Sequence, residues 1–281
     1  MADTAFQVQY RDEFIAKFEQ RQSLLRSSVT TEAVIKGNQA TFLTAGSGSA
    51  TAVTRGVNGL IPARADDLTQ STATLVEWHD LSRATNFNIF ASQGNRRAIM
   101  QNTTQAVINR KIDSDILTTL ATGTVTTGAA VTASVGLVAK AKTKLGNAGV
   151  PWDSNITAVI SPAFEGYLMQ TKEFASREYV GKPPSDGADA AWRDQPRAFF
   201  WYGVMWIVHP NVSGVGTASE SCFMYHKSAI GHAINTAGLD SLVGYDGEQN
   251  YTWARCSVDM GSVLLQNSGV VEMVHDGSAL A

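Results

Sequence analysis

The segment TAGSGSATAVTRGVNGLIPARADDLTQS, residues 44–71, holds too few large apolar side chains to belong to a hydrophobic core. It contains four glycines, a single proline and many small Thr, Ala and Ser residues. Residues 31–43 before it and residues 72–87 after it are strand-like in composition. Loops of this length without structure of their own are uncommon in compact domains and are usually functional or disordered. The sequence therefore predicts a two-stranded arm that reaches away from its own core, which favours assembly over catalysis.

A long amphipathic helix is predicted directly after this arm, over residues 89–122. Its apolar row recurs at i, i+4 spacing and consists of Ile108, Ile112, Ile116 and Leu120. The repeat does not extend through enough heptads for a coiled coil. We therefore expect one long helix that lies across a sheet.

A second amphipathic helix is predicted near the start of the chain, over residues 10–28. Phe14 and Phe18 lie on its apolar side, followed by Leu24 and Leu25. No sequence before this helix could fold against it. Its apolar side therefore docks either on later parts of the same chain or on a neighbouring subunit, and the sequence leaves both open.

The rest of the chain alternates between short helices and strands. We expect helices over residues 134–147 and 161–170, strands over 155–161, 198–209, 251–266 and 269–275, a strand with a short helix over 221–234, and loops over 173–197 and 239–249. A helix, a hairpin with a long loop, a long helix, a mixed insert and closing strands together predict an α+β architecture.

The composition excludes several classes of protein. Charged residues are only 17% of the chain, which fits a surface heavily covered by contacts. A net charge of −3 argues against a dedicated nucleic-acid reader. Two cysteines are too few for a disulfide framework. No apolar run is long enough to span a bilayer, and the first residues lack the apolar core of a secretory signal, so we expect a cytoplasmic protein unless it is packaged.

The motifs of common enzyme classes are missing from the sequence. There is no G-x-x-x-x-G-K-[ST] phosphate loop, no G-x-S-x-G elbow and no H-E-x-x-H helix. The residues weighed as sites, but expected to be structural, are Cys222, His226, His232, His79, Asp80, Asp240, Asp246 and Glu248. They lack the paired spacing of a zinc site and the ligand spacing of a calcium loop. We therefore expect no catalytic residue, cofactor or metal.

Four segments resemble the major capsid proteins of tailed bacteriophages. They are DEFIAKFEQRQSLLRSSVTTEAVIKGNQATFL (12–43), VTRGVNGLIPARADDLTQ (53–70), WHDL (78–81) and AVINRKIDSDIL (106–117). The order of elements also agrees with the HK97-type fold of that family. The resemblance implies an α+β, HK97-like capsid fold with an N-arm (1–30), an extended E-loop hairpin (31–87), a P-domain with its spine helix (88–128), an inserted A-domain (129–239), and returning P-domain strands with the C-terminus (240–281).

The same resemblance implies a function and its partners. The chain would be a head protein that self-assembles into hexamers and pentamers of an icosahedral shell enclosing double-stranded DNA without sequence-specific binding. It would be assembled in the bacterial host cytoplasm and reside in the virion capsid, with portal and head-completion proteins as partners and no membrane. A separate scaffolding or cement protein is left open. The alternatives are an encapsulin-like compartment shell and, more remotely, a cytosolic Ser or Cys hydrolase.

The expected intersubunit contacts lie on the N-arm and at the tip of the hairpin. They are Phe14, Phe18, Arg55, Leu60, Ile61, Arg64, Asp66 and Asp67. In the best-known member of the family, a lysine on the E-loop is cross-linked to an asparagine of a neighbouring P-domain. Here residues 44–71 contain no lysine, and Lys36 lies near the base of the hairpin. We therefore expect no such cross-link.

Overall fold

The computed structural model describes residues 22–31, 34–47, 50–64, 67–91, 96–175, 198–235 and 238–280. Within these residues the helices are α1 (Asn86–Ala91), α2 (Arg96–Leu120), α3 (Val135–Asn147), α4 (Pro162–Met169) and α5 (Lys172–Ala175). The strands are β1 (Val34–Lys36), β2 (Gln39–Gly46), β3 (Asp67–Thr74), β4 (Val76–Thr85), β5 (Ile156–Ile160), β6 (Ala198–Trp201), β7 (Val204–Val208), β8 (Glu220–His226), β9 (Ile230–Ile234), β10 (Asp240–Asp246), β11 (Tyr251–Leu264) and β12 (Val270–His275). This mixture confirms the α+β prediction.

The chain forms two compact units. The larger unit comprises residues 24–75, 115–233 and 261–281, and the other includes residues 76–114 and 234–260. Among the helices and strands, α2, β9 and β11 each contain a boundary between the units. The predicted division into N-arm, E-loop, P-domain and A-domain remains a prediction.

A five-stranded sheet is the centre of the larger unit. Its order is β12-β8-β5-β7-β6, and only the β5–β7 pair of this order is parallel. Every residue of β5 is buried, as expected for a central strand with covered faces. Aromatic rings extend this core, with Phe174 edge-on to Trp201 at 5.0 Å and Phe199 stacked on Trp206 at 6.0 Å.

The two helices predicted around β5 are present with their caps. Ser134 Oγ accepts a hydrogen bond from Leu137 N at the start of α3, and Ser161 Oγ accepts one from Phe164 N at the start of α4. Pro162 occupies the first turn of α4, where its missing N–H costs nothing. The sequence predictions for these helices and for β5 are confirmed.

The single strand predicted over residues 198–209 is wrong, because the run forms the hairpin β6–β7. Tyr202 and Gly203 make its turn, with φ angles of 55° and 75°. Two successive residues with positive φ match the twist of a tight hairpin. The turn is not evident from the sequence, because residues 198–209 are almost all apolar and contain a single glycine, Gly203. The short helix predicted after β8 is likewise a single 3-10 turn, Lys227–Ala229, that leads into β9.

The other unit is built on the antiparallel sheet β10-β11-β4. The residues of β11 that point to one face are buried, namely Thr252, Ala254, Cys256, Val258 and Met260. A small cluster of Ala84, Met100 and Ala254 joins this face to α2. The sequence predicts a loop over residues 239–249. This prediction is wrong for Asp240–Asp246, which form β10 and pair with β11 along the whole strand.

Most of the long helix predicted over residues 89–122 is observed as α2. Its predicted apolar row is buried, with Ile112, Ile116 and Leu120 fully enclosed and Ile108 at 2% exposure. The preceding α1 begins earlier than predicted, at Asn86, and residues 92–95 lie outside the described residues. In the part of the chain that the structure describes, no helix is long and apolar enough to cross a membrane.

The N-terminal helix is predicted over residues 10–28, and only residues 22–28 of this range are described. The prediction is wrong for these residues. Residues 22–25 are not helical, and Arg26–Ser28 form one 3-10 turn. Leu25 is fully buried, and the hydroxyl oxygens of Ser28 and Tyr225 lie 2.5 Å apart. Thr30 continues this attachment by hydrogen bonds with the backbone of Ile230 and His232. The earlier part of the predicted helix, with Phe14 and Phe18, lies outside the described residues, as do residues 176–197 of the predicted loop.

Candidate functional site

The arm predicted from residues 44–71 exists as the antiparallel hairpin β2–β3. Its register pairs Ala40 with Ala73 at the base and Gly46 with Asp67 at the outer end. The hydroxyl oxygens of Thr44 and Thr69 lie 2.5 Å apart across the two strands. The strands thus extend into the segment expected to be a loop. The strand-like segment predicted over residues 72–87 belongs to the hairpin only as far as Thr74, and the chain continues into β4, which pairs with β11.

The base of the hairpin is anchored in the larger unit. Ala40, Phe42 and Ala73 are buried in one cluster with Ala233 of β9. The ring of Phe42 fills the space above Gly231, where an added Cβ would lie 2.8–2.9 Å from the ring carbons. Glycine at position 231 is therefore required by close packing. One face of the hairpin base belongs to the subunit's own core.

The opposite face of the hairpin carries large apolar side chains that are exposed. Leu43 is 78% exposed on β2, and Leu68 is 74% exposed on β3. The register places them diagonally on one face, since Leu43 pairs with Gln70 and Ala45 pairs with Leu68. Cross-strand diagonal neighbours of this kind are within reach of each other. Sequence reasoning missed Leu43 and Leu68, although the alternation of Phe42 and Leu43 on a strand signals opposite faces.

The tip of the hairpin is an open turn without a core of its own. Gly56 N donates to Leu60 O at 3.0 Å and Gly59 N donates to Gly56 O at 2.8 Å. Gly59 has a φ of 73°, a backbone conformation that glycine adopts without strain. The predicted contacts Leu60 and Ile61 are 73% and 66% exposed. Val53 and Val57 are exposed beside them.

The predicted charged contacts of the arm are distributed along it. Arg55 Nη1 donates to the carbonyl of Gly59 at 3.3 Å and so supports the tip turn. Arg64 is exposed on the returning limb, and Asp67 is exposed at the first position of β3. Asp66 lies outside the described residues. The pairing of these charges across subunits remains a prediction.

Three of the groups weighed as chemical sites, Cys222, His226 and Asp246, are buried or held in local hydrogen bonds. Burial raises the pKa of the Cys222 thiol to about 12, so this thiol stays protonated and is a poor nucleophile. His226 Nε2 lies 3.0 Å from Asp153 Oδ1, and its Nδ1 lies 2.7 Å from Ser228 Oγ. Asp246 Oδ1 accepts the backbone N–H groups of Glu248 and Gln249 in a turn. Among the described residues, no group of His, Cys, Asp and Glu is arranged to hold a metal ion.

Comparison with known proteins identifies the family. The family model described as phage capsid protein matches residues 2–276. The chain therefore belongs to the phage capsid protein family. It is a major capsid protein, and its place is in the icosahedral shell of a bacteriophage virion. A comparison with curated proteins found no match.

Solved structures agree with this fold over nearly the whole chain. The structure titled Mycobacterium phage Che8 gives a TM-score of 0.73 at 15% identity, covering 97% of this chain and 98% of that chain. The capsid of Ralstonia phage GP4 gives 0.72 at 12% identity, covering 98% and 96%. The capsid asymmetric unit of Cyanophage Pam1 gives 0.71 at 12% identity, covering 99% and 98%. The expected HK97-like capsid fold is confirmed.

Proposed function

We propose that the β2–β3 arm joins each subunit to a neighbouring copy and so closes hexamers and pentamers into the shell. The observation that carries this proposal is the contrast between the two faces of the hairpin. Phe42 is buried in its own subunit, whereas Leu43, Leu60, Ile61 and Leu68 are each more than 60% exposed. An apolar surface of this kind on a projecting element marks an interaction site.

The energy available from these side chains supports an assembly role. Burying one exposed leucine or isoleucine side chain contributes about 1.5–3 kcal/mol. One subunit offers four such side chains on the arm, and a symmetric shell repeats the same contact at every equivalent position. The loss of freedom on association offsets part of this gain. Repetition makes a modest contact sufficient for a stable shell.

The N-terminal segment is the second proposed contact between subunits. Phe14 and Phe18 precede Leu25, which is already buried in the larger unit together with Val29. The chain is therefore fixed on its own subunit from about this point onward. Phe14 and Phe18, which come earlier in the sequence, are proposed to supply apolar surface to the same network of contacts.

The shell is proposed to enclose double-stranded DNA without sequence-specific binding. A net charge of −3 supports enclosure without a strong grip, because readers of DNA sequence carry a basic face. Filling and closing such a shell requires portal and head-completion proteins, and assembly is proposed in the bacterial host cytoplasm. A separate scaffolding or cement protein would add to these partners.

The family favours a virion shell over an encapsulin-like compartment. A structural role without catalysis is also proposed. A cysteine hydrolase needs an accessible thiolate, and the pKa of Cys222, raised to about 12 by burial, opposes one. Loss of ester hydrolysis on substituting Cys222 would revive the hydrolase alternative.

Removing the tip tests the proposed function. Replacement of residues 50–64 by a short Gly/Ser link keeps the β2–β3 strands and removes Leu60 and Ile61. Circular dichroism should report a folded subunit, while sedimentation and electron microscopy should find no closed shells. The control is Val215→Ser, which changes an exposed apolar residue away from the arm. Normal shells from the tip variant, or loss of its folded subunit, would refute the proposal.

A further inference from the structure

A carboxylate is completely buried at the end of the five-stranded sheet. Glu220 is the first residue of β8 and lies directly opposite His275, the last residue of β12. Neither residue has any exposed surface. One carboxylate oxygen accepts a hydrogen bond from Ser161 Oγ, and the other accepts one from Gly216 N at 2.8 Å. The contacts proposed for the arm make no use of this group.

Ser161, which donates to Glu220, is also the N-cap residue of α4. Ser161 caps α4 by accepting the N–H of Phe164 at 3.2 Å. Because its hydroxyl hydrogen is directed to Glu220, a lone pair remains available for that N–H. The carboxylate therefore also fixes the first turn of α4.

Gly277, which lies two residues beyond the end of β12, packs directly against Glu220. We call residues 276–280 the C-terminal strap. Asp276 N donates to Val131 O at 3.1 Å, and Gly277 N donates to Thr217 O at 3.2 Å. Gly277 lies so close to the carboxylate that an added Cβ would overlap its oxygens. Beyond Gly277 the strap is exposed, and the Leu280 side chain approaches Gly166 of α4.

His275 closes the remaining side of the carboxylate. Its Nδ1 lies 3.2 Å from the carbonyl oxygen of Val131, which can only accept, so Nδ1 carries the hydrogen. Its Nε2 lies 4.0 Å from the nearer Glu220 oxygen and has no hydrogen-bond partner among the described residues. Phe164 and Tyr167 hold the ring edge-on at 5.1 and 5.4 Å. Glu220 thus contacts the N-cap of α4, the Gly216 loop and Gly277 of the strap.

We propose that Glu220 is a charge-dependent latch that holds the C-terminal strap on its own subunit. Both carboxylate oxygens accept hydrogen bonds from fixed donors. In a neutral amide of the same shape, the oxygen can still accept from Gly216 N, but the NH2 group then faces Ser161, whose buried hydroxyl hydrogen loses its acceptor. In the opposite orientation the NH2 group faces the Gly216 N–H, and a buried donor facing a donor is strongly disfavoured. Loss of the charge should therefore free the strap and release Leu280 from α4.

Hydrogen exchange measured by mass spectrometry on the full-length chain tests the latch. Glu220→Gln should accelerate exchange in the strap and in the first turn of α4 by about tenfold or more, while β5 keeps its protection. The control Glu248→Gln makes the same change at an exposed turn and should alter neither region. Strap protection equal to that of the unsubstituted chain would overturn the proposal.

A second substitution approaches the same contact from the strap. Gly277→Ala leaves the charge of Glu220 intact, but its Cβ would overlap the carboxylate, so the strap has to move away. It should accelerate exchange in the strap more than in the first turn of α4. If Glu220→Gln does not fold, Gly277→Ala still tests whether the strap depends on its contact with Glu220. Unchanged strap exchange in Gly277→Ala would show that the strap does not depend on this contact.

Discussion

At the residue scale, single side chains fix the arm to the subunit. Phe42 is the largest buried side chain in the cluster at the base of the hairpin, and Gly231 makes room for it. Its neighbours on the strands, Leu43 and Thr41, point to the opposite face. The packing of Phe42 over Gly231 thus decides which face of the hairpin is buried in its own subunit and which face is exposed.

Gly231→Ala should loosen the base of the arm. The new Cβ would lie 2.8–2.9 Å from the Phe42 ring, which has to shift. Overpacking of this kind costs about 1–3 kcal/mol, measurable by urea unfolding of the unassembled subunit. Gly247→Ala is the matched control, because no atom lies within 4 Å of its added Cβ. Equal stability of the two variants would show that Phe42 does not anchor the arm.

Asp153 should make the subunit sensitive to acid. A side-chain hydrogen bond from Asn155, assisted by one from His226, lowers the pKa of Asp153 to about 2. A lowered pKa in the folded state gives stability that is present above the unfolded value of about 4 and is lost as the pH falls to about 2. The difference in unfolding free energy between the unsubstituted chain and Asp153→Asn should therefore shrink from pH 4 to pH 2. A difference that stays constant across this range would contradict the assignment.

Arg64→Glu should block or misdirect assembly at low salt. A single exposed ion pair contributes only about 0–1 kcal/mol, but a shell repeats the reversed charge at every equivalent contact. Salt should weaken the defect, because charges are screened beyond about 10 Å at 0.1 M. A partner Asp or Glu changed to Lys should restore assembly, which light scattering would follow. Lys140→Glu, the same charge change on α3, is the control. Normal assembly of Arg64→Glu at low salt would show that assembly does not depend on a charge pair of Arg64 with a neighbouring subunit.

At the element scale, the arm and the N-terminal segment are the two proposed contacts between subunits. The composition of residues 44–71 was enough to predict the arm, because so few large apolar residues cannot form a core. Which face of the arm is buried could not be predicted, since a register shift of one residue reverses every side chain. The exposure of Leu43 and Leu68 on one face follows from the pairing of β2 with β3, which the sequence alone does not specify. The turn at Tyr202 was missed for a related reason, because apolar composition alone does not locate a two-residue hairpin.

The double variant Phe14→Ala, Phe18→Ala should weaken the shell far more than the subunit. Burying each phenylalanine contributes about 1.5–3 kcal/mol, and the proposed contact forms only on assembly. Urea titrations of assembled and unassembled protein would measure both stabilities. Phe87→Ala, at a site 74% exposed on α1, controls for loss of a ring. Equal losses in shell and subunit would show that the N-terminal segment packs on its own chain.

At the scale of the whole molecule, sheet order depends on contacts between distant parts of the sequence. β4 pairs with β11, which joins residues near 80 to residues near 255, and β12 pairs with β8. Local patterns predicted most of these strands but not their partners, and β10 was mistaken for a loop because glycine interrupts its apolar residues. The opposition of Glu220 and His275 could not be predicted, because it exists only through the register of β8 and β12. Resemblance to a family supplied the fold that local patterns left open.

Electron microscopy of shells assembled from the purified full-length chain tests the central claim most directly. A reconstruction that resolves side chains would locate the tip of each arm. We predict closed shells of uniform size in which Leu60 and Ile61 lie against a neighbouring subunit. Closed shells with every tip in solvent or folded onto its own subunit would contradict the account.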